Sequence, residues 1–329
     1  MHMADALVTP AVAGVMAACS AAAAGYSIKK VRLSEDPKKI PVMGVMGAFV
    51  FAAQMINFTI PGTGSSGHLC GGMMLSALLG PHAGFLTMIG VLLVQCLFFA
   101  DGGLLALGCN VWNMAFYGCF LGSLIWKTVM RDGASKKKIA VSSVLGCVLT
   151  LQLGAFSVVL ETLASGVTEL PFGVFLAAMQ PIHLAIGAVE GLITAAVLSF
   201  VYEARPELLW GVGTRSGEGR LSYKTTLGIL AAAAVFVGGM LSLFASSLPD
   251  GLEWAMERTA GTAELEAEGG AYSIAAGIQK ALSFLPDYAF PGSESAAGTA
   301  VSGIVGALLV LLLCLLFCRL FRFFRRQTA

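Results

Sequence analysis

The sequence predicts an all-α integral membrane protein, with about seven membrane-spanning helices followed by a two-helix accessory module. Three observations carry this. Hydrophobic residues make up 57% of the 329 and charged ones only 12%, about half of the ~25% that a water-facing domain carries. Mean hydropathy is +0.82. The charges also fall in short stretches separated by apolar runs of about 20 residues, the length that crosses a bilayer. Net charge is +1, so nothing points to nucleic acid as a partner.

The apolar runs place spans at about 7–27, 41–58, 69–80, 83–100, 104–126, 139–160, 173–202, 225–246 and 298–318. Basic residues lie between them: Lys29-Lys30-Val31-Arg32 with Lys38-Lys39, then Lys127 to Lys138, Arg205 to Lys224, and the tail from Arg319 to Arg326. The positive-inside rule puts all four in the cytoplasm. An even number of crossings separates each pair, so the chain sits in the inner (cytoplasmic) membrane with Met1 outside and its C-terminus inside. It opens Met-His-Met-Ala-Asp, with neither the positive n-region nor the cleavage site of a signal peptide. The N-terminus is therefore expected to remain on the mature protein.

The run at 69–80 is too short to cross unaided, and Ile60-Pro61-Gly62-Thr63-Gly64-Ser65-Ser66-Gly67-His68 before it cannot be regular helix. Irregular backbone at membrane depth survives only where protein buries it or it lines a cavity, and a short or broken span is a pointer to a binding site. Composition turns polar near Glu203, Arg205, Glu207, Arg215, Glu218 and Arg220. This divides the chain into a module over 1–205, a cytoplasmic linker over 206–224 and a two-span module over 225–329. The external loop 247–297 carries Asp250, Glu253, Glu257, Glu264, Glu266, Glu268, Asp287 and Glu294 against Arg258 and Lys280. Such a face attracts cations, or is what the positive-inside rule leaves outside.

Only His2, His68, His82 and His183 are histidines. A histidine in second place offers the Met1 α-amine, its own amide nitrogen and its imidazole Nδ1 as one chelate. With the amide ionised the set is planar, which suits Ni(II) and Cu(II). His68 would supply a fourth nitrogen, unless the N-terminal histidine is incidental. His82, at the cytoplasmic end of the short span, reads as structural. His183 and Glu190 share a face of the seventh span at i+7, either as a pair holding the core or as an orienting group behind a ligand. Asn57, Gln95, Asn110 and Asn113 need partners inside apolar spans, and hydrogen bonds to the irregular loop would provide them. Ser65 and Ser66 would act likewise. The eight cysteines form no CxxC pair and read as small hydrophobes, Cys314 and Cys318 included. Neither GxxxxGK[ST] nor HExxH occurs, so any energy must come from partner ATPases.

The segments Asn57-Phe58-Thr59-Ile60-Pro61-Gly62, Ser66-Gly67-His68-Leu69 and Gly71-Gly72, then Leu79-Gly80-Pro81, Gln95, Asp101 to Gly108 and Asn110 to Met114, together with Met1-His2, resemble the CbiM/NikM family. These are substrate-capture (S) components of energy-coupling-factor (ECF) importers for cobalt and nickel, and the likeness runs over about 1–205. Pro249-Asp250-Gly251-Leu252-Glu253-Trp254 and Leu285-Pro286-Asp287-Tyr288 resemble the family's NikN-type accessory subunit, here fused. The resemblance implies metal ligation by the Met1 amine, the His2 amide and imidazole, and the His68 imidazole. It also implies Ni(II) or Co(II) as cargo and two partners, a CbiQ/NikQ-like T component and a CbiO/NikO-like ATPase. The T component would dock on the small-residue stripe Ala13, Ala17 and Ala21, which otherwise packs within this chain. The fused module and the planar nitrogen set lean towards nickel, with cobalt for cobalamin synthesis the near alternative. A membrane-embedded metalloenzyme is more distant, since no carboxylate lies in 59–70 to act as a base. A vitamin-binding S component would need an aromatic-lined pocket instead.

Overall fold

Apolar runs bounded by glycine, proline and charge fold into helices, and the computed structural model describes residues 1–31, 38–212, 219–293 and 295–327. Arg32, Arg215, Glu218 and Glu294 lie outside the described residues. In chain order the helices are α1 (Pro10–Lys30), α2 (Lys39–Gln54), α3 (Gly72–Leu79) and α4 (Pro81–Phe99), then α5 over 107–130 and α6 (Lys136–Ala164). They continue with α7 (Phe172–Ala204), α8 (Tyr223–Gly239), α9 (Gly251–Ala260), α10 (Gly270–Leu282) and α11 (Ala296–Gln327). Among the described residues, six helices are long and apolar enough to cross a membrane. Leu145, Leu149, Leu153, Phe156 and Leu160 stand exposed along one side of α6, a spacing of three and four that makes a helix face. That face is stable against lipid and not against water.

Three expectations change. The run at 69–80 is an eight-residue helix, roughly 12 Å long at 1.5 Å per residue, well short of the ~30 Å of a bilayer's hydrocarbon core. The irregular loop before it is a short antiparallel hairpin pairing Phe58–Ile60 with Ser65–Gly67, with Gly62 and Gly64 at φ +76° in the turn, where a side chain is disfavoured. The stretch 247–297 holds α9 and α10 as well as loop. The second and eighth runs also end earlier than their apolar lengths suggest, at Gln54 and Gly239.

Close packing at small residues positions α3 and α1. The Cβ that Gly118 lacks would lie 2.8 Å from Gly72 Cα, so α5 and α3 meet backbone to backbone. In the middle of α5, Val111–Leu121 is wound as π-helix, a form that recurs at functional sites. On the small-residue stripe of α1, Ala13 is buried and the backbone of Ala17 lies against Gly108, while Ala21 is exposed. The stripe therefore packs partly inside this chain. At the far end of α3, the backbone N–H of Trp210 donates to Ala77 O (2.8 Å), and Trp126 Nε1–H donates to Trp210 O (2.8 Å). Cys314 and Cys318 are buried in α11, which packs along α2.

Gly108→Val is expected to destabilise the protein by about 1–3 kcal/mol, the cost of overpacking a close contact, because its Cβ would lie 2.4 Å from the Ala17 nitrogen. A lowered thermal midpoint of the detergent-solubilised protein checks this.

Candidate metal centre

The N-terminus is docked inside the bundle. Met3 N–H donates to Asn110 Oδ1 (2.7 Å), Asn110 Nδ2–H donates to Met3 O (3.1 Å), and Gly103 N–H donates to the same oxygen (2.8 Å). Asn113 Nδ2–H reaches the Met3 sulfur (3.5 Å) and the Glu161 carboxylate (2.7 Å). Asn110 and Asn113 thus hold residue 3, not the irregular loop as expected. The backbone clamp leaves residues 1 and 2 in a fixed place beside His68, with the His2 and His68 rings stacked at 5.3 Å.

The Met1 amine lies 3.2 Å from His68 Nε2 and 3.0 Å from Asp250 Oδ2. His68 Nδ1–H donates to Leu69 O (2.9 Å), which fixes the tautomer and leaves Nε2 as a bare lone pair. His2 Nε2 lies 3.2 Å from Gln95 Oε1, and its Nδ1 lies 3.2 Å from Asp101 Oδ1. Burial pushes the His2 imidazole down to about 4, with Asp101 opposing, so the ring is neutral at pH 7 and carries one N–H. One N–H cannot serve both the Gln95 and the Asp101 oxygen, so one ring nitrogen turns a lone pair to an acceptor. Burial also works against a charged amine, yet the Asp250 carboxylate outweighs it and holds the amine above its ordinary value. Against burial in turn, the ammonium beside it holds Asp250 well below the usual carboxylate range.

A cavity of about 530 Å³ opens onto this cluster, lined among others by Asp5, Asp101, Asp250, Glu253 and Asp287. Among the described residues no three His, Cys, Asp or Glu side chains already stand as a metal-binding group. An ion bound at about 2 Å separates adjacent nitrogens by about 2.9 Å, and the amine and His68 Nε2 are within a few tenths of that. The His2 amide N–H has no hydrogen-bond partner among the described residues, unlike that of Met3.

The other singled-out residues divide around this centre. Gln95 Nε2–H donates to Gln54 Oε1 (2.8 Å), and Gln54 Nε2–H to Cys70 O (2.8 Å), a relay from His2 to the loop. Ser66 Oγ–H donates to Leu248 O (2.7 Å), Ser65 Oγ–H lies beside Ser66 O (3.0 Å), and Asn57 lines the cavity. His183 and Glu190 do not pair. Two turns apart is roughly 10 Å; His183 Nδ1–H donates to Met179 O (2.8 Å), and Glu190 accepts from Cys70 N (2.9 Å) and Gly71 N (2.8 Å). Glu190 therefore fixes the loop just after His68. His82 packs between Tyr26 and Phe120 away from the cluster. Sequence reading did not single out Gln54, Asp101 or Asp250 as site residues. The signal for Asp250 was its place before Gly251-Leu252-Glu253, an N-cap with an acid three residues on.

Fold and centre together define a multi-pass membrane protein with a buried cluster of nitrogen and carboxylate groups built around its N-terminus. The chain belongs to the family described as CbiM, cobalt uptake substrate-specific transmembrane region, whose model matches residues 2–208. Residues 224–323 match the PDGLE domain. The chain is 34% identical to a putative fused nickel transport protein NikMN of Archaeoglobus fulgidus, over 94% of this chain and 96% of that one. It is 31% identical to a cobalt transport protein CbiM of Geobacter sulfurreducens, over 82% and 77%. A crystal structure of a truncated transition metal transporter superposes with TM-score 0.54 at 31% identity, covering 62% of this chain and 99% of that one.

Asn110→Ala is expected to cost about 2 kcal/mol, because it leaves the Met3 N–H unpaired in a buried place while Met3 O keeps only its bond from Gly103. Faster hydrogen exchange of the Met3 amide than in the parent protein checks this.

Proposed function

We propose that this chain is the S component of an ECF-type importer, capturing Ni(II) or Co(II) from outside the cell through the Met1 amine, the His2 amide and Nδ1, and His68 Nε2. The observation that carries the reading is the Met1 amine 3.2 Å from His68 Nε2, with the His2 ring stacked on that of His68, at the end of a carboxylate-lined cavity. Capture releases one proton from the ammonium and one from the amide, and both leave through the cavity to water. The chain performs no bond chemistry on its cargo; inward release is driven by a separate T component and ATPase. The exposed small residues of α1 (Gly14, Ala18, Ala21 and Ala22) offer that T component a close approach.

Residues 1–205 form the capture module, 206–224 the linker and 225–329 the accessory module. The basic ends of α1 and α6 lie on the cytoplasmic side of the inner membrane and Met1 on the outside. Likeness to fused nickel transport proteins favours nickel over cobalt.

An N-terminal extension that blocks the amine is expected to abolish stoichiometric nickel or cobalt binding, measured as metal content of the purified protein. His68→Ala should weaken affinity at least about tenfold, or 1.4 kcal/mol, and His82→Ala should not. Unchanged metal content with a blocked amine would sink the chelate.

A further inference from the structure

The third contact of the amine belongs to neither the N-terminus nor the His68 loop. Asp250 Oδ2 stands 3.0 Å from the Met1 nitrogen and 3.7 Å from His68 Nε2, and those two nitrogens are 3.2 Å apart. The circle through three points so separated has a radius of about 1.9 Å, and the triangle is acute, so its centre lies among the three atoms. A divalent first-row ion sits at about 2.0–2.2 Å from nitrogen and carboxylate oxygen donors. A cation displaced a fraction of an ångström from that plane, towards His2, would therefore meet all three atoms with little shift in any of them.

The carboxylate is also fixed for the purpose. Its Oδ1 accepts the backbone N–H groups of Leu252 (2.7 Å) and Glu253 (2.9 Å) as the N-cap of α9, while Glu253 returns a bond to the Asp250 N–H (2.9 Å). This capping box leaves Oδ2 alone to face the amine. The turn that carries it is held to the His68 loop: Ser66 N–H donates to Pro249 O (2.8 Å) and Trp254 Nε1–H to Thr63 O (2.9 Å).

We propose that Asp250 is an oxygen ligand of the captured cation, so that the region matching the PDGLE domain completes the coordination sphere as a fifth donor. This rests on the nitrogen chelate above. It also relaxes the planar constraint: a five-coordinate mixture of nitrogen and oxygen donors suits Co(II) as well as Ni(II).

X-ray absorption at the nickel edge, on the full chain with its natural N-terminus, tests it. The parent protein should give five light-atom neighbours and lack the pre-edge feature of planar four-coordinate nickel. Asp250→Ser keeps a helix-capping oxygen but is too short to reach the cation, and should lose one neighbour and gain that feature. Glu257→Gln, at an exposed acid further along α9, should leave the spectrum of the parent. A planar four-nitrogen spectrum in the parent itself would overturn the proposal, as would a five-coordinate spectrum unaltered by Asp250→Ser. A protein with a blocked N-terminus that keeps its nickel and its spectrum would instead overturn the chelate, so the two failures are told apart.

Discussion

The structure depends on one buried charge, the α-amine of Met1. An ammonium withdrawn from water costs several kcal/mol unless it is paired and hydrogen-bonded, and every partner it finds is distant in sequence. His68 comes from the broken stretch between α2 and α3, and Asp250 from the cap of α9. Neither reaches the amine unless Met3 is held, which Asn110 does from the start of α5 through both backbone polar groups of that residue. Three regions of the chain are thus tied at one atom, whose placement is a matter of tenths of an ångström.

The loop that carries His68 faces the second constraint of a membrane interior, that each backbone polar group needs a partner within the protein. The hairpin pairs part of it, and Glu190 takes the N–H groups of Cys70 and Gly71 where α3 has yet to begin. Gln54 takes the Cys70 carbonyl and passes a bond through Gln95 to His2. Gln54 of α2, Gln95 of α4 and Glu190 of α7 are therefore the scaffold of an irregular segment.

Composition and hydropathy were enough to read the membrane fold, because a bilayer imposes length and apolarity directly on sequence. His2 and His68 were legible for a similar reason: imidazoles are few, and one of them lay in a stretch that could not be helix. The supports were less so. Helical spacing put His183 and Glu190 on one face, but a shared face across two turns says nothing of which neighbouring element each side chain meets. Glu190 turned to the loop, and His183 to the carbonyl four residues back. The π-winding that begins just after Asn110 and carries Asn113 leaves no periodic signal, and Asp250 was hidden among eight acids that composition cannot tell apart.

Charge gives the reason an acid belongs at that place. In the empty state the ammonium carries one positive charge opposite Asp250. A divalent cation bound to an ionised amide and a neutral amine also carries one. Loading then exchanges one monocation for another beside the same carboxylate, and the buried acid is never left without a partner, a situation that costs 3–5 kcal/mol when a buried pair is broken. A monovalent ion in the same chelate would leave Asp250 facing a neutral complex, at about that cost. The helix cap that fixes Oδ1 also removes the freedom to swing away. With Asp250 as a ligand of the proposed chelate, discrimination for divalent charge would come from the C-terminal region and discrimination for nitrogen-seeking metals from the N-terminus. Joined in one chain, the two filters would act on the same ion.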